Sequence, residues 1–147
     1  MRMTLTELVN EGKFKPHKTS KDEINRLLTL FDRDMADAHI AGLSTDRRFA
    51  TAYNAALMGS IVALAASGYR APNEGHHYWT IQSLAFTLQI DANTIDTFNQ
   101  FRLKRNKSDY ERSGLVSKAE LSEMIELAIR LRATLETWLR KKYPELV

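Results

Sequence analysis

The sequence predicts an all-α, up-and-down bundle of four to five principal helices, and three observations carry that expectation. Apolar residues recur at helical spacing through several long segments, and capping or turn residues occupy the breaks between them. No stretch alternates apolar and polar side chains in the manner of a half-buried strand. A length of 147 residues suits one core. The 44% hydrophobic and 27% charged composition is ordinary for a globular chain, which sets aside disordered and collagen-like readings.

From the N-terminus, Met3 to Asn10 predicts a short helix, ended by Gly12 and a basic linker containing Pro16. Residues 1–19 are therefore read as a short helix and linker with little share in the core, and residues 20–147 as the bundle. Ser20-Lys-Asp-Glu23 has the form of a capping box. Ile24, Leu27, Leu28, Phe31, Met35 and Ala38 then keep helical spacing as far as Gly42. Ser44-Thr-Asp46 offers the next N-cap, and Phe49 to Ser67 contains no strong breaker. Within it Ala52, Ala56, Gly59, Ala63 and Ala66 form a narrow ridge of small side chains that lets a neighbouring helix approach closely. This segment is expected to be the central helix of an antiparallel hairpin.

Gly68 to Gly75, with Pro72 inside, is the main turn. A third amphipathic helix follows through Tyr78, Ile81, Leu84, Ala85 and Leu88, opened by His76 and His77. Adjacent helical residues point about 100° apart, so the two imidazoles are poorly placed to hold one metal ion together. They are assigned to capping, packing or the turn. Asp91 to Asn93 caps a fourth helix running from about Thr94 to Arg112. Ser117 to Glu120 is a second capping box, and the last helix runs through Leu121, Met124, Ala128, Leu131, Leu135 and Trp138 until Pro144 stops it.

No cysteine is present, which removes disulfides, thiolate metal sites and a cysteine nucleophile. The first residues lack the apolar core of a signal peptide. Ala55 to Ala66, the longest apolar stretch, falls short of the roughly 20 residues that span a bilayer. The expected location is the cytoplasm, with no membrane partner. Phosphate-binding glycine loops, dinucleotide turns and the serine elbow of hydrolases are missing, and no metal or cofactor is expected. Asp32, Asp34 and Asp37 read as helix surface charge, with one of them a candidate partner for Arg102 or Arg105 across the bundle.

The informative segment is Phe98 to Arg112, where the amphipathic pattern fails. Arg102, Arg105, Asn106, Asp109 and Tyr110 fall on the side that Ile95 and Phe98 mark as inward. Burying an unpartnered polar group costs about 1–3 kcal/mol by mutational measures, so these residues are expected to form a site or an interface. The net charge of +3 is mild, but Arg102, Lys104, Arg105, Lys107 and Arg112 face only Asp109 and Glu111 locally. Such a cluster has the character of a nucleic-acid footprint. Arg105, Asn106 and Tyr110 supply a guanidinium fork, an amide and a phenol at helical spacing, a set able to grip a phosphate.

Arg105-Asn-x-x-x-Tyr110 near the end of a penultimate helix, preceded by Phe101-Arg-Leu-Lys104, resembles the HEPN superfamily (higher eukaryotes and prokaryotes nucleotide-binding). The run from Asp46 to Leu57 is similar to that superfamily's second principal helix, and Gly68-Tyr-Arg70 with His76-His77 is similar to the turn of one bacterial branch. The resemblance implies an HEPN-like bundle acting as a homodimer, with RNA, a nucleotide or a nucleotidyltransferase encoded beside it as partner. Toxin–antitoxin or defence systems are the implied setting. Many members are metal-independent ribonucleases that use Arg-x(4–6)-His motifs. Arg105 matches the family arginine, Asn106 the polar residue after it, and Tyr110 stands where the family has histidine. A phenol of pKa about 10 is a poor base at neutral pH.

The expectation is therefore an RNA- or nucleotide-binding module, non-catalytic or weakly so. Arg102, Arg105, Asn106, Lys107 and Arg112 are its candidate phosphate ligands. The alternative is an endoribonuclease in which Arg105 stabilises the phosphate and Tyr110 or Asp109 takes the 2′-hydroxyl proton. A second alternative makes the polar cluster a structural network at a dimer interface.

Overall fold

Three serines open three of the helices. In the computed structural model, which describes residues 4–110 and 115–147 with the side chains of 108–110 excepted, helix α1 spans Leu5–Asn10 and α2 spans Lys21–Ala38. Helices α3 (Thr45–Ala66), α4 (His76–Gln82), α5 (Ala92–Tyr110) and α6 (Lys118–Lys142) follow. Ser20, Ser44 and Ser117 accept the backbone N–H groups of Glu23, Arg47 and Glu120 at 3.1, 3.2 and 3.1 Å. Each bond satisfies a donor that the first helical turn leaves free. At Ser117 the box is complete, since the Glu120 carboxylate accepts the Ser117 N–H at 3.0 Å. At Ser20 it is half made. The Glu23 carboxylate turns instead to the Thr19 hydroxyl at 2.6 Å and His17 Nε2 at 2.7 Å, contacts that hold it below the usual carboxylate range.

The chain is an all-α bundle with α3 at its centre, flanked by α2 and α6. The small ridge explains that position. Ala52, Ala56, Gly59, Ala63 and Ala66 are all buried, and a Cβ added at Gly59 would lie 2.8 Å from the Phe31 ring of α2 and 3.6 Å from Leu131 of α6. Glycine is what lets both neighbours close on one point of α3. Arg48 Nε donates to the Ala38 carbonyl at 2.8 Å, so the start of α3 closes the end of α2. Helix α3 is longer than the apolar stretch its sequence suggested, and by length and composition it is apolar enough to cross a membrane. Most of that apolar stretch is buried inside the bundle, as in the core helix of a globular protein.

Two expectations need correction. The third helix does not run to Leu88: α4 stops at Gln82 and continues as a 3-10 turn over Ser83–Ala85. Buried hydroxyls account for the break, because Ser83 Oγ donates to the Thr80 carbonyl at 2.6 Å and Thr87 Oγ1 to the Ser83 carbonyl at 3.3 Å. The N-terminal segment also has a larger share in the fold than its composition suggested. Leu8 and Phe14 are buried in a second apolar cluster with Leu64 and Ala71, and Lys15–Pro16 (β1) pairs antiparallel with Tyr69–Arg70 (β2).

Candidate anion-binding site

The rotation of α5 is set by its aromatic residues. Phe98 packs edge-on against Tyr53 at 5.6 Å between ring centroids, and Phe101 against Phe49 at 5.3 Å, both partners lying on α3. Arg105 is one turn beyond Phe101, so it continues the same inward stripe. Here the helix presents guanidinium groups where an apolar side chain would prolong the core. Arg105 lies over the Tyr53 ring at 5.8 Å and Arg102 over the Tyr78 ring at 5.6 Å, while Arg102 Nε donates to Asn99 Oδ1 at 2.9 Å. Both arginines are half-buried. The quadrupole of an aromatic face attracts a cation.

Tyr53 is fully buried, and its hydroxyl oxygen lies 3.2 Å from His77 Nδ1, a hydrogen bond whose donor depends on the imidazole tautomer. Burial raises the Tyr53 phenol above its ordinary range, against the opposing pull of Arg102 and Arg105. The proton therefore stays on the phenol. Burial lowers the pKa of His77 from its ordinary 6.5, and His76, Arg105 and Arg102 lower it further. At neutral pH the imidazole beside the two arginines is uncharged. The site joins permanent cations, a neutral imidazole and a protonated phenol.

The two adjacent histidines face different places, as their angular separation requires. His77 contacts Tyr53, whereas His76 lines a separate cavity of about 170 Å³ together with His17, Glu23, Arg26, Arg70 and Thr80. Among the described residues, no three His, Asp or Glu side chains cluster as a metal site. A larger groove of about 410 Å³ between α5 and α6 has Asp91, Glu123 and Glu126 on its wall, and its Arg130 is paired with Glu126. Its charge suits an anion poorly.

Of the candidate residues named from sequence, Arg102 and Arg105 come together over the α3–α4 contact. Asn106 is half-buried and Lys107 is exposed. Lys104 turns away to pair with Glu120 of α6 at 3.4 Å. The side chains of Asp109 and Tyr110, and Arg112 as a whole, lie outside the described residues. Asp32 does not reach the arginines of α5: Arg132 of α6 holds it through Nε at 3.0 Å and the second terminal nitrogen at 3.3 Å, while Asp34 contacts Arg33. Asn99, Tyr53, Tyr78 and the role of His77 were missed. A lone tyrosine among the alanines of α3 was the available signal, since a buried hydroxyl requires a partner.

Fold and site together define a helical bundle with a cationic, aromatic-backed patch beside an uncharged histidine. Beyond that class, no family model, no curated protein and no solved structure matches the chain.

Proposed function

We propose that this chain is an HEPN-like module that binds RNA or a nucleotide by its phosphate, using Arg102 and Arg105 as the principal ligands. The observation that carries the reading is the pair of half-buried guanidinium groups, each backed by a tyrosine ring and neighboured by an imidazole that carries no competing charge. Arginine grips phosphate oxygens bidentately, and partial burial strengthens that attraction. Tyr78, with Arg102 over its ring, is exposed at 36%, so this part of the patch lies at the surface. Asn106, half-buried, and Lys107, exposed, follow on the same helix and add an amide and a further cation. On the resemblance, the module works in the cytoplasm as a homodimer in a toxin–antitoxin or defence system, with a nucleotidyltransferase as its protein partner.

The test is fluorescence anisotropy with a labelled single-stranded RNA across a salt series. Single-strand binding loses affinity with a log–log slope of about −0.7 per phosphate neutralised, so Arg102→Ala with Arg105→Ala is expected to flatten the slope by about 1.4 and weaken binding at least about tenfold. A folded wild-type chain without affinity for RNA or nucleotides at low salt overturns the reading. Loss of the fold in the arginine variants favours the structural-network alternative.

A further inference from the structure

We propose that the cavity of about 170 Å³ beside His76 binds a small monocarboxylate with an apolar body, held by Arg26 and Arg70. The N-terminal segment helps to build this cavity. Lys15–Pro16 pairs with Tyr69–Arg70, and the His17 N–H donates to the Gly68 carbonyl at 2.8 Å. These bonds bring His17 and Arg70 to a space also lined by α2, α3 and α4. Arg26 and Arg70 are exposed and mark its mouth, whereas Leu27, Leu64, Ala65 and Ala71 are buried and give it an apolar wall.

The charges select the ligand. Among the described residues, Glu23 is the one carboxylate in the lining, and His17 and Thr19 already engage it. Burial lowers the pKa of His76 from its ordinary 6.5, so this imidazole is uncharged at neutral pH. Two guanidinium groups therefore face one carboxylate, which leaves an excess suited to a monoanion. Arginine grips a carboxylate through paired hydrogen bonds. A phosphate dianion would be repelled by Glu23 and would leave the apolar wall unused. Thr80 lines the same cavity at 0% exposure, and its Oγ1 has no hydrogen-bond partner. A buried hydroxyl left unpaired is costly, and a polar ligand beside it offers the missing partner.

Size narrows the class further. A cavity of about 150 Å³ holds a benzene molecule, so this one has room for one ring or a branched chain of similar bulk, with the carboxylate at the arginines. Drug-sized ligands need roughly 300–1,000 Å³, which excludes a nucleotide here. The cavity thus differs from the Arg102–Arg105 patch in both place and ligand.

Sodium benzoate is the probe, titrated into the full-length protein by isothermal calorimetry, with NMR of the histidine rings on the same samples. The expected Kd is about 1 mM or below, within reach of a ligand of about nine non-hydrogen atoms, and the His17 and His76 signals move. Benzamide, which has the same shape without the charge, is expected to bind at least about tenfold more weakly, and inorganic phosphate not to displace benzoate. Arg26→Gln with Arg70→Gln, both at exposed positions, is expected to weaken benzoate at least about tenfold with an unchanged circular dichroism spectrum. Arg102→Ala with Arg105→Ala is expected to leave it within about twofold, as for a separate site. Ile61→Phe, which adds bulk to the cavity from α3, is expected to block binding with both arginines in place. Three results overturn the proposal: neither heat nor a histidine shift at about 20 mM benzoate, benzamide binding as tightly as benzoate, or benzoate binding lost in the Arg102 and Arg105 variant and kept in the Arg26 and Arg70 variant.

Discussion

The Tyr53 hydroxyl and His77 Nδ1, 24 positions apart in the chain, lie 3.2 Å from each other across the contact of α3 with α4. This bond gives the phenol its partner inside the core and fixes one imidazole beside two arginines. It ties the burial of the central helix to the chemistry at its surface. Replacing Tyr53 by Phe keeps the ring against Phe98 and removes only the hydroxyl. The expected cost is about 1–2 kcal/mol of stability, the usual worth of a buried hydrogen bond whose other partner is left unmet. Urea denaturation of wild type and Tyr53→Phe reads this directly, and equal midpoints would show that the bond contributes nothing.

His77 also makes stability depend on pH. Its folded pKa lies below the ordinary 6.5, so between the two values the unfolded chain binds more protons than the folded one. Stability therefore falls as pH drops through about 6.5, and levels off once pH is below the folded value. His76, also lowered by burial, adds in the same direction. Imidazole titration by NMR is expected to place His77 below 6.5 and to show it moving upward in Arg105→Ala, because a repelling positive charge has gone. An unmoved midpoint would mean that Arg105 does not reach the imidazole electrostatically.

At Gly59, helix propensity and packing oppose one another. Alanine favours a helix by about 1 kcal/mol over glycine. A Cβ here, however, would stand 2.8 Å from the buried Phe31 ring, and overpacking a core costs about 1–3 kcal/mol. Gly59→Ala is therefore expected to lower stability by about 1 kcal/mol, measured as a lower urea midpoint with unchanged slope. Adding Phe31→Leu should recover part of the loss. A stabilised Gly59→Ala would mean that α2 shifts freely, and the close approach of α2 to α3 would lose its explanation.

Helix caps, the small ridge and the inward turn of Arg102 and Arg105 were legible because each depends on spacing within one segment. Serine three residues before glutamate, or small residues at steps of three and four, carry their geometry in the sequence. What stayed hidden depends on which segments meet. Nothing near Tyr53 announces His77, and nothing near Asp32 announces that Arg132, a hundred positions away, is its partner. The end of α4 was misread for a related reason. Tyr78 to Leu88 keeps an apolar rhythm, but the buried hydroxyls of Ser83 and Thr87 bond back to the chain and tighten the turn. Glu23 has the position of a capping-box partner and was drawn off by His17, which the capping pattern does not include.

The N-terminal segment supplies the last test, because its role was underestimated from composition. Phe14 is buried at 1% exposure and packs edge-on against Trp79 at 6.2 Å, while the Lys13 ammonium lies 5.0 Å from the centre of the same indole ring. Trp79 sits on α4, two residues beyond His77, so these contacts hold down the helix that carries the imidazole. Removing a buried phenylalanine ring usually costs about 3–5 kcal/mol. Phe14→Ala is expected to lose about 3 kcal/mol and to red-shift the Trp79 emission, with Trp138 on α6 as the unperturbed background. A loss below about 0.5 kcal/mol, with unchanged fluorescence, would return residues 1–19 to the status of an appendage. The larger loss, accompanied by a change in the His77 NMR signal, would mean that the segment helps to hold the site in place.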